Sequence, residues 1–193
     1  MLEIWNIWLS GGWVMVPLFA CAVLLYAQGF QLVMYVRRIH LDEKSAVHWR
    51  QWVREPDQAQ GRVAEIIAYT QADVSSAKQV RNRFEEIHAA LLALVDRRSK
   101  FIGMLVAAAP LLGLLGTVLG MLQTFFGIAT SGGAETAGVV ASGISEALVT
   151  TQTGLTVALP GLFLVMTIQR QRHRIEASLA RLESLTLTHY RFE

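Results

Sequence analysis

The chain has 193 residues, 53% of them hydrophobic, and a mean hydropathy of +0.39. Its net charge of +2 at pH 7 is too small to indicate a nucleic-acid-binding protein, and its single cysteine, Cys21, excludes an intrachain disulfide. Three stretches without Asp, Glu, Lys or Arg, over 4–36, 101–134 and 147–169, exclude an ordinary soluble protein, because a soluble helix would carry charges on its wet face.

Each of these stretches exceeds the roughly 20 residues that a helix needs to cross the core of a bilayer. The sequence therefore predicts an all-α integral membrane protein with three transmembrane helices. In chain order, we predict a periplasmic amino terminus (1–12), a first span (13–36), a cytoplasmic helical segment (37–100), a second span (101–128), a periplasmic turn (129–137), a third span (138–169) and a cytoplasmic carboxy-terminal helix (170–193).

The orientation follows from the basic residues, because loops rich in Lys and Arg stay on the cytoplasmic side. All 17 of them lie in two places, 12 within 37–100 and 5 within 170–191. The first span has no basic lead-in and no A-x-A-like cleavage site, so we expect it to be retained rather than removed as a secretory signal. Trp5, Trp8 and Trp13 at its outer end are typical of an interfacial belt, and Cys21 within it is expected to be buried.

The second and third spans are expected to belong to helices that extend into the cytoplasm. Pro56 and Gly61 indicate a break early in the cytoplasmic segment. Beyond Val74, apolar residues recur at helical spacing and no strong breaker precedes the second span, although Pro110 allows a kink within it. The expected apolar faces are Val80, Phe84, Ile87, Leu91, Leu94 and Val95 before the second span, and Ile175, Leu179, Leu182 and Leu185 after the third.

Small residues on the second span indicate close helix packing. Gly116 and Gly120 form a G-x-x-x-G pair, which lets a neighbouring backbone approach. Gly113, Thr117, Gly120 and Thr124 follow a 4-3-4 step and so share one stripe. The two hydroxyl groups either satisfy carbonyls of their own helix or line a narrow polar path, and the spacing leaves both interpretations open.

Glu146 is the candidate functional residue, since it is the only charged residue between Glu135 and Arg170. An ionised carboxylate in hydrocarbon costs roughly 3 kcal/mol or more, so such a residue usually faces a protein or aqueous interior and often handles ions or protons. The alternative is that Glu146 merely begins the third helix at the lipid headgroups, where water solvates it.

The third span is polar on more than one side. At about 100° per residue, Thr150, Thr153 and Val157 share a face with Glu146, whereas Thr151 lies roughly 140° away. Hydroxyl groups without partners are costly in hydrocarbon, so a helix of this kind needs protein neighbours. This pattern favours an assembly of several subunits over a lone three-helix chain.

Two segments resemble the second- and third-span signatures of the ExbB/TolQ/MotA proton-channel family, APLLGLLGTVLGMLQTF at 109–125 and ISEALVTTQTGLTVALP at 144–160. The three spans and the modest cytoplasmic segment resemble the ExbB/TolQ branch. The resemblance implies a homo-oligomeric ring, a pentamer, in a bacterial inner membrane, around a small single-span partner similar to ExbD or TolR. Proton flow through it would drive work on a periplasm-spanning protein similar to TonB or TolA.

The resemblance also assigns residues. It implies an ion pathway of Glu146, Thr117 and Thr151. Gln152 and Thr153 replace small apolar residues found in many members, which leaves the choice between protons and sodium open. The positions expected to line the pore or pack the helices are Pro110, Gly113, Gly116, Gly120, Thr124, Thr150, Thr153 and Pro160.

Other classes of function find little support in the residues. The five histidines all lie in the predicted cytoplasmic parts and the charge-free stretches contain no aspartate, so we expect neither an enzyme nor a metal site, and no cofactor. Besides protein partners, the expected contacts are membrane lipids rather than nucleic acid. The remaining rival is a passive membrane scaffold that assembles partner proteins without conducting ions.

Overall fold

The computed structural model describes residues 11–39, 46–72, 74, 76–130 and 136–190, and these are almost all helical, without a strand in these ranges. The helices are α1 (Met15–Ile39), α2 (Trp49–Arg54), α3 (Gly61–Gln71), α4 (Ala77–Thr130) and α5 (Thr136–Tyr190), with a short 3-10 turn at Pro56–Gln58. The all-α class predicted from the sequence is confirmed. Trp5, Trp8 and most of the predicted periplasmic turn lie outside the described residues.

Three helices, α1, α4 and α5, are long and apolar enough to cross a membrane. At 1.5 Å per residue, the 54 residues of α4 extend over about 80 Å, far more than the roughly 30 Å of a bilayer core. The length of α5, at 55 residues, is nearly the same. Both therefore have the length expected of helices that project beyond a bilayer.

The helix boundaries follow the local chemistry of the sequence. Pro56 opens the 3-10 turn and Gly61, with a φ of 66°, begins α3, as the predicted break requires. Pro110 and Pro160 lie inside α4 and α5, and both helices continue through them. Because no glycine or proline interrupts the residues between Ala77 and Lys100, α4 runs without a break from charged to apolar sequence.

The chain folds as two compact units. The apolar unit takes in the described residues up to Phe30 together with Lys100–Met166. The charged unit takes in Gln31–Ser99 and the described residues from Thr167 onward. Each of the two long helices contributes one part to each unit.

In the apolar unit, α1 packs against both long helices. The Cys21 thiol donates to the carbonyl oxygen of Leu105 at 3.5 Å, and the Tyr26 hydroxyl donates to the carbonyl oxygen of Val157 at 3.0 Å. Cys21 is buried, as expected, in a cluster with Ala109 and Ala158. Small side chains at this cluster allow the three helices to approach closely.

The charged unit has its own apolar core, formed largely by the positions that the helical spacing predicts. On α4, Val80, Phe84 and Val95 are buried, but Leu92 is buried in place of the expected Leu91 and Leu94, which are only half-buried. On α5, Ile175, Leu179 and Leu182 are buried, whereas Leu185 is half-buried and the next residue, Thr186, is buried instead. The contact stripe therefore shifts by one residue at these points, as a helix of 3.6 residues per turn allows.

Polar contacts tie α4 to α5 in the charged unit. The Arg172 guanidinium donates to Asp96 at 2.8 Å and also binds Glu176, one turn further along α5. These hydrogen bonds, led by the one to Asp96, raise the pKa of the Arg172 guanidinium above its ordinary value. Glu176 also lies 3.5 Å from His88 of α4.

Candidate functional site

Glu146 lies in the interior of α5, ten residues after Thr136, which is about 15 Å along the helix axis. It does not begin the helix, so that part of the alternative interpretation is wrong. Its side chain is half-buried. The carboxylate lies against Gly12, so closely that a methyl group built on Gly12 would overlap Oε1 and would lie 2.6 Å from Cδ.

The contact with Glu146 comes from the turn that leads into α1. Gly12 has a φ of 65°, a conformation that side chains rarely tolerate, and its carbonyl oxygen accepts a hydrogen bond from the Met15 amide at 3.2 Å. Val14 and Met15 are buried. A methyl group on the neighbouring Gly11 would lie 3.3 Å from Val149. The segment before α1 thus packs against the part of α5 that carries Glu146 and Val149.

A second face of α5 packs against α4 through small residues. Gly113, Gly116 and Gly120 are all buried. A methyl group on Gly120 would lie 2.6 Å from the carbonyl oxygen of Gly143, and one on Gly154 would lie 2.7 Å from that of Ala109. The two backbones are therefore in direct contact along a surface that we call the glycine seam, formed by Ala109, Gly113, Gly116, Gly120 and Thr124 of α4 and by Gly143, Ala147, Thr150, Thr151 and Gly154 of α5.

Four of the five predicted site threonines, Thr150 among them, bond to carbonyl oxygens of their own helices. Thr117 donates to Leu114 at 2.7 Å, Thr124 donates to Gly120 at 2.9 Å, and Thr153 donates to Val149 at 2.8 Å, each to a backbone carbonyl oxygen. The spacing left open whether the hydroxyl groups of Thr117 and Thr124 satisfy carbonyls of their own helix or line a polar path. As donors, both satisfy carbonyls of their own helix. Their hydroxyl oxygens still have lone pairs that can accept a hydrogen bond.

Thr150 and Thr151 both meet α4. The Thr150 hydroxyl bonds back to the carbonyl oxygens of Glu146 and Ala147, and its buried side chain packs on Gly116. The Thr151 hydroxyl crosses between the helices and donates to the carbonyl oxygen of Gly113 at 3.1 Å.

The face predicted around Glu146 is divided between two neighbours. Glu146 contacts Gly12 of the turn before α1, and the backbone carbonyl oxygen of Val157 accepts a hydrogen bond from the Tyr26 hydroxyl of α1. Thr150, predicted on the same face, contacts α4 instead. The reason is geometric, since Thr150 lies about 40° around the helix from Glu146, at the border between the surfaces facing α1 and α4.

Sequence reasoning missed two sets of contacting residues. Gly143, Ala147 and Gly154 of α5 complement the glycines of α4, and their four- and seven-residue spacing, which puts them on one face of the helix, carried a usable signal. Gly12 had a weaker signal, a Gly-Gly pair just before an apolar stretch. Nothing in the sequence pairs that turn with α5.

The remaining predicted positions lie at the surface or partly buried. Pro110 is half-buried, and Pro160 and Gln152 are exposed. Large apolar side chains of α4 are exposed as well, among them Leu111, Leu114, Leu122, Phe125 and Phe126. A surface this apolar suits contact with lipid or with other protein chains. Within the described ranges, no cluster of His, Cys, Asp and Glu is arranged to hold a metal ion.

Residues 56–181 match the model of the MotA/TolQ/ExbB proton channel family. The match takes in the glycine seam, Glu146 and most of the charged unit.

Several relatives are similar to this chain. The putative biopolymer transport protein ExbB-like 1 of Synechocystis sp. is 32% identical over 164 residues, covering 78% of this chain and 65% of the relative. The biopolymer transport protein ExbB of Salmonella typhimurium is 36% identical over 97 residues, 50% of this chain and 39% of the relative. The Tol-Pal system protein TolQ of Haemophilus influenzae is 37% identical over 84 residues, 43% of this chain and 35% of the relative. The chain thus spans less than two thirds of the length of each.

Proposed function

The chain belongs to the MotA/TolQ/ExbB proton channel family, and from that membership we propose that it is the membrane subunit of an ExbB/TolQ-like motor driven by proton-motive force. In this proposal, proton flow through the assembly does mechanical work on a TonB/TolA-like protein. That work energises transport across the outer membrane or maintains its integrity.

Glu146 is the observation on which the proposal rests. It is the only charged residue from 136 to 169, it lies well inside an apolar helix, and protein rather than open solvent covers part of its carboxylate. Acids inside apolar membrane helices often handle ions or protons, so proton exchange is a use that fits its position. We propose that Glu146 exchanges protons along the pathway.

Thr117 and Thr151 have different roles in this proposal. Thr117 is half-buried, and its hydroxyl oxygen has lone pairs that can accept a hydrogen bond from a passing water or hydronium. Thr151 already links α4 to α5, so its proposed role is to hold the two helices of the pathway in register.

The geometry of α4 supports a site near the outer side of the membrane. Gly120 lies 20 residues after Lys100 on the same helix, about 30 Å along its axis, and packs against Ala147, the neighbour of Glu146. That distance matches the thickness of a bilayer core. With a cytoplasmic carboxy terminus, as proposed from the basic residues, Glu146 would be the first acid within the third span that a proton meets from the periplasm.

The proposed assembly is a pentamer in the bacterial inner membrane, around an ExbD/TolR-like single-span partner whose membrane aspartate is the main proton carrier. The exposed apolar surface of α4 supports contacts with lipid or with other chains. The polar Gln152 and Thr153 leave sodium as an alternative coupling ion.

The test replaces Glu146 by glutamine in the chromosomal copy. We expect Glu146→Gln to reduce energised work at the outer membrane at least about tenfold, because the amide cannot exchange a proton, while the assembly persists. The measurements are energised uptake, resistance to detergent and the size of the purified complex.

Glu65→Gln is the matched control, since Glu65 is an exposed residue of α3 and the chemical change is the same. A passive scaffold would keep full activity with Glu146→Gln, and that result would overturn the proposal.

A further inference from the structure

The turn before α1 presents bare backbone to the carboxylate of Glu146. Gly12 has no side chain, and the space that a Cβ would need is already filled by Oε1 and Cδ of Glu146. The turn is fixed from its other side, because Val14 and Met15 are buried and the Met15 amide bonds to the Gly12 carbonyl oxygen. The carboxylate can therefore occupy this position only because residue 12 has no side chain.

The backbone of α5 cannot retreat from the turn. On its other face, Thr150 fills the space over Gly116, and Ala147 lies in contact distance of any methyl group built on Gly120. The Thr151 hydroxyl bonds to the Gly113 carbonyl oxygen in the same seam. A group added at Gly12 must therefore displace the Glu146 side chain rather than move the helix that bears it.

We propose that Gly12 is a positioning residue for Glu146: its lack of a side chain lets the carboxylate lie under the turn before α1, partly covered by it. The consequence for proton transfer rests on the proposed function, whereas the contact itself does not. This fit also makes α1 part of the site rather than only a membrane anchor, since α1 begins directly after the turn.

The first experiment measures how readily the Glu146 carboxyl group is modified. The purified full chain in detergent is treated with dicyclohexylcarbodiimide, an apolar reagent that forms a covalent adduct with carboxyl groups it can reach, and the rate of modification at Glu146 is followed by peptide mass spectrometry. We expect Gly12→Ala to raise this rate severalfold, because the carboxylate is pushed out from under the turn.

Gly61→Ala is the matched control. Gly61 has nearly the same φ, 66°, but no atom lies within 4 Å of a Cβ built on it, so the substitution adds the same backbone strain without a contact. We expect it to leave the rate at Glu146 unchanged. Equal rates for Gly12→Ala and the unsubstituted chain would overturn the proposal.

The second experiment tests the contact by compensation in cells. A misplaced reactive group can lose activity on the order of tenfold to a hundredfold, and we expect Gly12→Ala to lose energised work on this scale. Glu146→Asp shortens the side chain by one methylene, so the double substitution should recover several times the activity of Gly12→Ala alone. A general structural defect would not be relieved in this way.

The outcomes separate the two proposals. If Glu146→Gln keeps full activity, the proposed function fails, and the labelling rates still decide the role of Gly12. If Glu146→Gln loses activity while Gly12→Ala behaves like Gly61→Ala in both experiments, only the role of Gly12 fails. If Gly12→Ala does not accumulate, recovery of the folded protein by the double substitution supports the contact, and failure to recover contradicts it.

Discussion

At the scale of single residues, the hydroxyl groups of the apolar unit show how a polar helix is accommodated among apolar neighbours. Thr117, Thr124 and Thr153 donate to carbonyl oxygens of their own helices, which removes the cost of an unpaired donor without any partner helix. Thr151 differs, since its hydroxyl bonds to another helix. Only Thr151 among these four therefore contributes to tertiary stability through its hydrogen bond.

Thr151→Val tests this difference. The substitution keeps the shape of the side chain and removes its hydrogen bond to Gly113, so we expect a loss of about 1 kcal/mol in the free energy of unfolding in detergent. The control is Thr156→Val, because the exposed Thr156 hydroxyl bonds only to Gln152 of its own helix. Equal losses for the two substitutions would show that the interhelical hydrogen bond of Thr151 adds nothing to the free energy of unfolding.

Tyr69 gives a prediction for pH in the charged unit. Its hydroxyl donates to Glu86 at 2.6 Å, and this hydrogen bond, with the negative charge of Glu86, raises the pKa of the tyrosine. A raised pKa means that the contribution to stability is complete below the ordinary pKa near 10 and is lost as the pH rises through the higher folded value.

The measurement for Tyr69 is an alkaline titration of tyrosine absorbance, with Tyr69→Phe identifying the contribution of this residue. We expect Glu86→Gln to lower the pKa of Tyr69 toward its ordinary value. Glu85→Gln, which alters the adjacent carboxylate, should leave the titration unchanged. A Tyr69 pKa that does not respond to Glu86→Gln would contradict the assignment.

At the scale of elements, the glycine seam determines how α4 and α5 pair in the apolar unit. The hydrophobic effect does not drive helices together within lipid, so close van der Waals contact and interhelical hydrogen bonds must do so. The seam provides both, through backbone contacts at Gly120 and Gly154 and through the Thr151 hydrogen bond. Its stability should therefore depend on side-chain size at the glycines.

Gly120→Ala should destabilise the seam by about 1–3 kcal/mol, because the added methyl group would lie 2.6 Å from the carbonyl oxygen of Gly143 and backbone cannot yield cheaply. Gly103→Ala is the control on the same helix, with no atom within 4 Å of the added group, and should be neutral or stabilising by up to about 1 kcal/mol. Unfolding midpoints in detergent compare the two. A neutral Gly120→Ala would contradict the packing described.

Arg172 is the corresponding link in the charged unit. Because its side chain and that of Asp96 are 23% and 41% exposed, we expect Arg172→Gln to cost only about 1 kcal/mol or less, and less still at high salt. An arginine is charged well above neutral pH even at its ordinary pKa, and the contacts with Asp96 and Glu176 raise the pKa of Arg172 further, so the charge of Arg172 itself is the same in mildly acidic and mildly alkaline buffer.

Hydrogen exchange of the amides in 77–99 measures this local loss, because the bond to Asp96 lies in that part of α4. Arg170→Gln serves as the control, since it removes the same charge two residues away, on an exposed side chain. If Arg170→Gln speeds exchange as much as Arg172→Gln, net charge rather than the ion pair is responsible.

At the scale of the whole molecule, charge is separated between the two units. Lys100 and Glu146 are the only charged residues described in the apolar unit, whereas the charged unit holds nearly all the basic residues. This separation is the basis of the proposed orientation, with the charged unit in the cytoplasm.

Cysteine labelling tests the orientation. In a Cys21→Ala background, a single cysteine is introduced at exposed Ser76 or at exposed Ala137, each close to the start of a long helix. A membrane-impermeant maleimide should label Ala137→Cys from the periplasm in cells with a permeabilised outer membrane. It should label Ser76→Cys only after the inner membrane is opened. The opposite pattern would reverse the proposed topology.

Much of the fold could be predicted from the sequence because the relevant signals are local. The absence of charge over 101–134 and the apolar spacing around Val80 and Phe84 depend on neighbours along one helix, and the long α4 follows from them. The spacing failed where two faces of a helix meet, as at Leu92 and Thr150, because a side chain on the border packs toward whichever neighbour is there.

By itself, the sequence determined that this protein is helical, that three of its helices are apolar enough to cross a membrane, and that Glu146 is the exceptional acid among them. Only the tertiary structure decided that Thr151 joins α4 to α5 and that Gly12 covers the carboxylate of Glu146. The physical reason is that helix formation and membrane partition depend on residues within a few turns. The pairing of helix faces depends instead on backbone contacts between residues far apart in the chain.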